Sequence, residues 1–206
     1  MKNIYLVLMI LISIITKSQT VIDINDTTYS TFNNTYHNYY KKDLNNLLDP
    51  FQGTYIYTSG NTTFKIVLKK MIKQPEGLHH EDMIIGEYQY LVNGVEKVNT
   101  LSNLDIAYSN QLLRHGIAGN SIISNINNRV WKCPQCNPNE KRARLTITDE
   151  LTNRYADMFL RRTVINGQQV LQIKIANTDT VSYDVEHESP PANFSLPLGE
   201  FTMIKQ

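Results

Sequence analysis

The apolar and polar positions of the chain change their period once. Residues 36–48 (YHNYYKKDLNNLL) place Tyr36, Tyr40, Leu44, Leu47 and Leu48 three and four apart, which predicts the apolar stripe of a short entry helix. Asp49-Pro50 ends it, because a residue before proline disfavours the α region. From Phe51 the spacing is that of strands. Residues 53–58 (GTYIYT) form a short aromatic and β-branched run, closed by a turn at Ser59-Gly60-Asn61. Over 63–72, Phe64, Ile66 and Leu68 alternate with Lys65, Val67 and Lys69, predicting a half-buried strand. Pro75 and Gly77 mark a loop over 74–80, and 82–92 (DMIIGEYQYLV) is the longest strand candidate. Gly86 in its interior predicts a bend or a close backbone approach.

Asn93-Gly94 and Asn166-Gly167 each stand between two strand-like runs. Both residues of such a pair tolerate the positive φ of a type I′ turn, so each predicts a tight hairpin. The second joins 155–165 to 169–176. Further strands are expected at 95–101, 141–148 (KRARLTIT), 180–185 and 200–205 (EFTMIK). Residues 20–35 are polar and lack a period, which reads as an extended N-terminal arm. The stretch 102–128 is the least patterned, with one helical turn expected around 104–108 and strands near Gln111 and Ile122.

About eight to ten short strands over roughly 150 residues, joined by tight turns, imply an all-β, mainly antiparallel sandwich or closed barrel. No βαβ alternation is visible. A single barrel domain over 36–206 is the first choice, because pairing of the first barrel strand with the C-terminal strand would remove exposed edges.

Composition agrees with this. The 206 residues are 41% hydrophobic and 19% charged, which supplies one core at below-average charge. Asn, Thr and Tyr are abundant, and these residues favour turns and strands.

Residues 1–19 (MKNIYLVLMILISIITKSQ) carry a positive start at Lys2, an apolar run over 4–15 and a small or polar end at Ser18 and Gln19. This is the pattern of a removable signal peptide. Spanning a bilayer takes roughly 20 apolar residues, more than this run offers. No cysteine lies near the cleavage region, which excludes a lipid-modified N-terminus, and no later segment is long and apolar enough to span a membrane. Removal of Lys2 and Lys17 takes the formal net charge from +1 to −1. A nearly neutral chain has no global field to attract nucleic acid or anionic membranes. The expected location is periplasmic or extracellular.

A helix, then Phe51-Gln-Gly-Thr-Tyr55, then a Thr-Phe-Lys-Ile-Val-Leu strand resembles the entry to lipocalin or calycin-like barrels, with Tyr55 where those carry tryptophan. Ile85-Gly-Glu-Tyr-Gln-Tyr90 with Asn93-Gly94, Cys133 and Cys136 before Lys141-Arg-Ala-Arg144, and the closing Pro197-Leu-Gly-Glu-Phe201 are similar to an uncharacterised family of small exported bacterial lipocalin-like proteins, a domain of unknown function. The resemblance covers about residues 45–206. It implies a barrel fold and export, and brings no activity.

Cys133 and Cys136 are the only two cysteines. In an exported protein such a pair is expected as a structural disulfide. The other readings are a reduced pair, half of a metal site needing ligands from elsewhere, and a redox centre. A redox centre would need a helix N-terminus to lower the thiol pKa, and Asn137-Pro138-Asn139 reads as loop instead. His79-His80-Glu81-Asp82 is rich in metal-capable side chains, yet neighbours on an extended chain point to opposite sides, so a solvated loop is the simpler reading.

Alternation puts Arg142 and Arg144 on one face. That face is either solvated or an anion site to which Arg161 and Arg162 contribute. Tyr55 and Tyr57, like Tyr88 and Tyr90, share a face on each of two strands, as core or as pocket lining. Signatures of nucleophilic, phosphate-cradling and zinc-protease chemistry are missing, and no cofactor is expected.

The leading expectation is therefore an exported, non-enzymatic barrel that holds a small apolar ligand in its interior, lined by Tyr55, Phe64, Tyr88 and Ile173. Its rival is a filled-core domain that meets an envelope protein or other partner through its surface, as an inhibitor or assembly partner. A weaker third reading is a hydrolase with a carboxylate pair, one member having a raised pKa. No nucleic-acid partner is expected.

Overall fold

The computed structural model describes residues 19–26, 39–126, 129–180 and 192–206. The signal-peptide reading of residues 1–18, most of the N-terminal arm and the strand expected at 180–185 lie largely outside these residues.

Eight antiparallel strands close into a barrel: β3 (Gly53–Ser59), β4 (Thr62–Glu76), β5 (His79–Val92), β7 (Ile117–Ser124), β8 (Lys141–Asp149), β9 (Arg154–Ile165), β10 (Gln168–Ala176) and β11 (Gly199–Lys205). Each pairs with the next in that order, β11 pairs back onto β3, and the β5–β7 pairing completes the ring. Three further strands extend β5 rather than the ring. β6 (Val95–Asn99) forms a hairpin with its C-terminal end, while β1 (Thr20–Asp23) and β2 (Tyr39–Lys42) add in parallel at its N-terminal end.

Both Asn-Gly turns adopt the predicted conformation. Asn93 and Gly94 have φ of 56° and 73°, and Asn166 and Gly167 have φ of 50° and 78°, the left-handed pair that matches the twist of a hairpin. Gly86 is a close approach: a Cβ there would stand 2.8 Å from the Val67 carbonyl oxygen on β4. The expected alternation on β4 holds, with Phe64, Ile66 and Leu68 buried. The same period on the other strands turns Ile84, Ile117, Leu145, Ile147, Met158, Leu160, Leu171, Ile175 and Met203 into one contiguous core.

Three local expectations are corrected. The short N-terminal helix is absent from the described part of 36–48. Tyr40 and Lys41 instead pair with His80 and Glu81 as β2, and the Asp43 carboxylate accepts the Leu47 and Leu48 amide N–H groups, which fixes a turn. Pairing with β5 outweighs the helical spacing; Leu44, which the stripe would have buried, is exposed, while Leu48 and Phe51 cap the core through a 3-10 turn at Asp49–Phe51. The 74–80 loop is a continuation of the β4–β5 hairpin, with even Pro75 in register opposite His80. Between Met71 and Gln74 the register shifts, and Lys73 takes a φ of 51° while its amide N–H donates to the buried Asp82 carboxylate. Finally, no strand forms at Gln111, and the helical turn lies earlier, as a 3-10 turn at Leu101–Asn103.

Candidate functional site

Tyr55, Phe64, Tyr88 and Ile173 lie in the barrel core, none more than 1% exposed. Phe64 meets the rings of Tyr88 and Tyr90 edge-on, each with centroids 5.9 Å apart, an arrangement that places a positive ring edge on a negative face. Both buried tyrosine hydroxyls are spent on the backbone. Tyr55 donates to the Phe51 and Gln52 carbonyls at 3.1 Å, and Tyr88 donates to the Thr148 carbonyl at 2.7 Å while accepting the Glu150 amide N–H. Burial pushes the Tyr55 phenol up to about 12, against a weaker pull from the nearby Arg162 charge.

The outward face of β8 divides the basic run. Arg142 is fully buried and Arg144 is half exposed, and each lines a different cavity. Arg144 forms a two-armed pair with Asp157 on β9, at 2.9 and 3.0 Å, with its guanidinium over the Phe159 ring. It borders an open groove of about 480 Å³ across β7, β8 and β9. The floor of this groove is made by Ala118 and Gly119, where β7 shifts register against β8; a Cβ at Gly119 would stand 3.1 Å from the Leu145 backbone. Leu113 and Tyr155 supply exposed apolar surface on its walls, and Thr146 and Thr148 supply hydroxyls.

Arg142 lies under a strap formed by residues 129–139. Its Nε donates to the Glu140 carboxylate at 3.0 Å and its Nη1 to the Trp131 carbonyl at 2.7 Å, and the Trp131 ring covers the guanidinium. Arg161, on β9, completes the cluster by clasping Glu140 with two nitrogens at 2.8 and 3.0 Å. Burial pushes the Glu140 carboxyl up, but the hydrogen bonds and charges of Arg161 and Arg142 outweigh it and hold the group below its ordinary value. Arg162 is exposed on the opposite face of β9 and takes no part.

Cys133 and Cys136 sit in this strap at disulfide distance, with Cα atoms 5.3 Å apart. Asn125 fastens them to the end of β7 by donating to the Cys133 and Cys136 carbonyls at 2.8 and 3.2 Å. The strap is tied down again by Lys174, which donates to the Val130 carbonyl. Among the described residues no group of His, Cys, Asp and Glu is arranged to hold a metal ion. His79 stacks on Tyr39 and pairs with Glu81 at 2.9 Å, while His80 faces Gln19.

Two buried carboxylates lie near one end of the barrel. Glu87 meets His115 at 2.7 Å, and the other nitrogen of His115 meets Gln111 at 2.6 Å. Asp149, fully buried, accepts from Ser195, Thr152 and the Leu151 amide. Burial pushes Asp149 up, but these hydrogen bonds prevail and hold it below its ordinary value.

Glu140 and Trp131 are partners of Arg142 that the expected anion site did not include, whereas Arg161, expected to contribute beside it, does join it through the shared Glu140 carboxylate. Glu140 does carry a signal, being two residues from Arg142 and so on the same face of an extended chain; Trp131 meets it only in the fold.

By fold, then, the chain is an eight-stranded antiparallel barrel with a densely occupied interior and a strapped outer wall. It belongs to DUF6705, a family of unknown function whose pattern spans residues 1–206. Neither the curated proteins nor the solved structures contain a match to it.

Proposed function

We propose that this protein is an exported, non-enzymatic binding module whose barrel is a scaffold and whose ligand seat is the groove on its outer wall. Residues 1–19 act as the signal peptide, and 36–206 form one barrel domain in the periplasm or outside the cell. The disulfide-spaced cysteines fit an oxidising compartment. Among the described residues no helix is long and apolar enough to cross a membrane.

The observation that carries this reading is the burial of Tyr55, Phe64, Tyr88 and Ile173 against one another, with both tyrosine hydroxyls already bonded to backbone. A ligand inside would have to displace core side chains and would find none of these polar groups unspent. The outer groove, at about 480 Å³, falls in the range of small-molecule sites. Its mixture of Leu113, Tyr155, threonine hydroxyls and the Arg144–Asp157 pair suits a small amphipathic molecule with an apolar body and a polar head.

Native mass spectrometry of the exported protein tests this, with Leu113→Asp and Tyr155→Ala beside the wild type. Added mass that both variants lose supports the groove. Added mass that both variants keep places the ligand elsewhere and overturns it. Absence of added mass in every exported preparation overturns the small-ligand function and favours a protein partner.

A further inference from the structure

We infer that the cavity beneath the strap is a separate binding site for a small oxyanion, either a carboxylate or a phosphate, gripped by Arg142. This cavity of about 190 Å³ lies on the outer wall and is distinct from the groove beside Arg144. The Arg142 side chain is fully buried, and a guanidinium out of water is stable only when its donors are met. Nε and Nη1 are met by Glu140 and Trp131, whereas Nη2 is buried without a hydrogen-bond partner among the described residues. Buried donors in native proteins are rarely left so, which marks the place of a group that binds there.

Charge points the same way. Lys132, Arg142 and Arg161 line the cavity against one lining carboxylate, Glu200, which is itself paired with Lys174 at 3.2 Å. Glu140 behind them neutralises one of the two arginines and leaves the cluster net positive. A planar guanidinium matches an oxyanion with fixed geometry, and a strap tethered at Asn125, Lys174 and the cysteine pair preorganises it. Gln172, held by Arg161 at 2.6 Å, keeps that second guanidinium oriented along the wall.

Trp131 is the only tryptophan of the chain and covers Arg142, so its fluorescence reports this site alone. The oxidised, exported protein is titrated with inorganic phosphate and, separately, with acetate, at ionic strength held constant with chloride. The proposal expects a saturable change in Trp131 emission for at least one of them: phosphate alone identifies a tetrahedral oxyanion, acetate alone a carboxylate. Arg142→Lys, which loses the free nitrogen, and Gln135→Glu, which adds a negative charge at an exposed position on the cavity wall, should each weaken binding about tenfold or more. The exposed Gln135 variant keeps the test decisive if the buried one misfolds. Emission that follows chloride equally, or an affinity unchanged in Gln135→Glu, overturns the site.

Discussion

Truncating Phe64 to alanine separates a filled barrel from a hollow one. Phe64 is fully buried between β3 and β5, in edge-to-face contact with both Tyr88 and Tyr90. If the interior is close-packed, removal of the ring leaves a cavity its neighbours cannot fill, and such a change costs about 3–5 kcal/mol. The two edge-to-face contacts add roughly 0.5–1.5 kcal/mol each before relaxation. If Phe64 instead lines an open ligand chamber, one side of the ring already lacks neighbours, and the loss is about 1–2 kcal/mol of transfer free energy. Urea unfolding of wild type and Phe64→Ala, followed by circular dichroism, reads the difference at constant m. For a chain of this length the filled barrel corresponds to a fall in Tm of roughly 10 °C. A loss below about 1.5 kcal/mol with unchanged m would refute the packed interior.

The buried Asp82 carboxylate accepts from Tyr40, the Asp43 amide and the Lys73 amide, so Asp82→Ala leaves buried donors unmet and should cost about 3 kcal/mol or more, read by the same unfolding. Cys133→Ser should cost about 2 kcal/mol, as expected for a short closed loop, and the denatured oxidised chain should weigh two hydrogens less than the reduced one; full reduced mass would refute the bond. Asp149 and Glu140 are held below their ordinary values of 3.8 and 4.5, so the folded state binds fewer protons than the unfolded one in that range. Their contribution is complete above pH 4.5 and falls away as the pH drops through and below 3.8, which urea midpoints between pH 6 and 3 will show.

What the sequence made legible was local. Strand alternation at Phe64, Ile66 and Leu68, and the Asn-Gly pairs, are set by nearest neighbours and turn chemistry, and the structure keeps them. In the described part of 36–48 the expected helix gives way to β2 because the strand that pairs with it, β5, lies about forty residues away, and pairing of Tyr40 with His80 is invisible to any short window. Pro75 and Gly77 suggested a loop for the same reason, although a bulge at Lys73 lets the hairpin continue past them. The grouping of Arg142 with Arg144 followed correctly from period two, but the strap that buries one and not the other comes from residues 129–139, in a stretch with no period to read.

Where an amphipath binds decides between the outer groove and the barrel interior. Methyl-labelled protein titrated with dodecanoate, as a probe with an apolar body and an anionic head, distinguishes wall from interior by chemical-shift mapping. Perturbations are expected at Leu112, Leu113 and Ala118, which line the groove. Shifts centred on Ile66, Leu160 and Ile173 in the barrel core, with the groove methyls silent, would contradict a ligand seat on the outer wall.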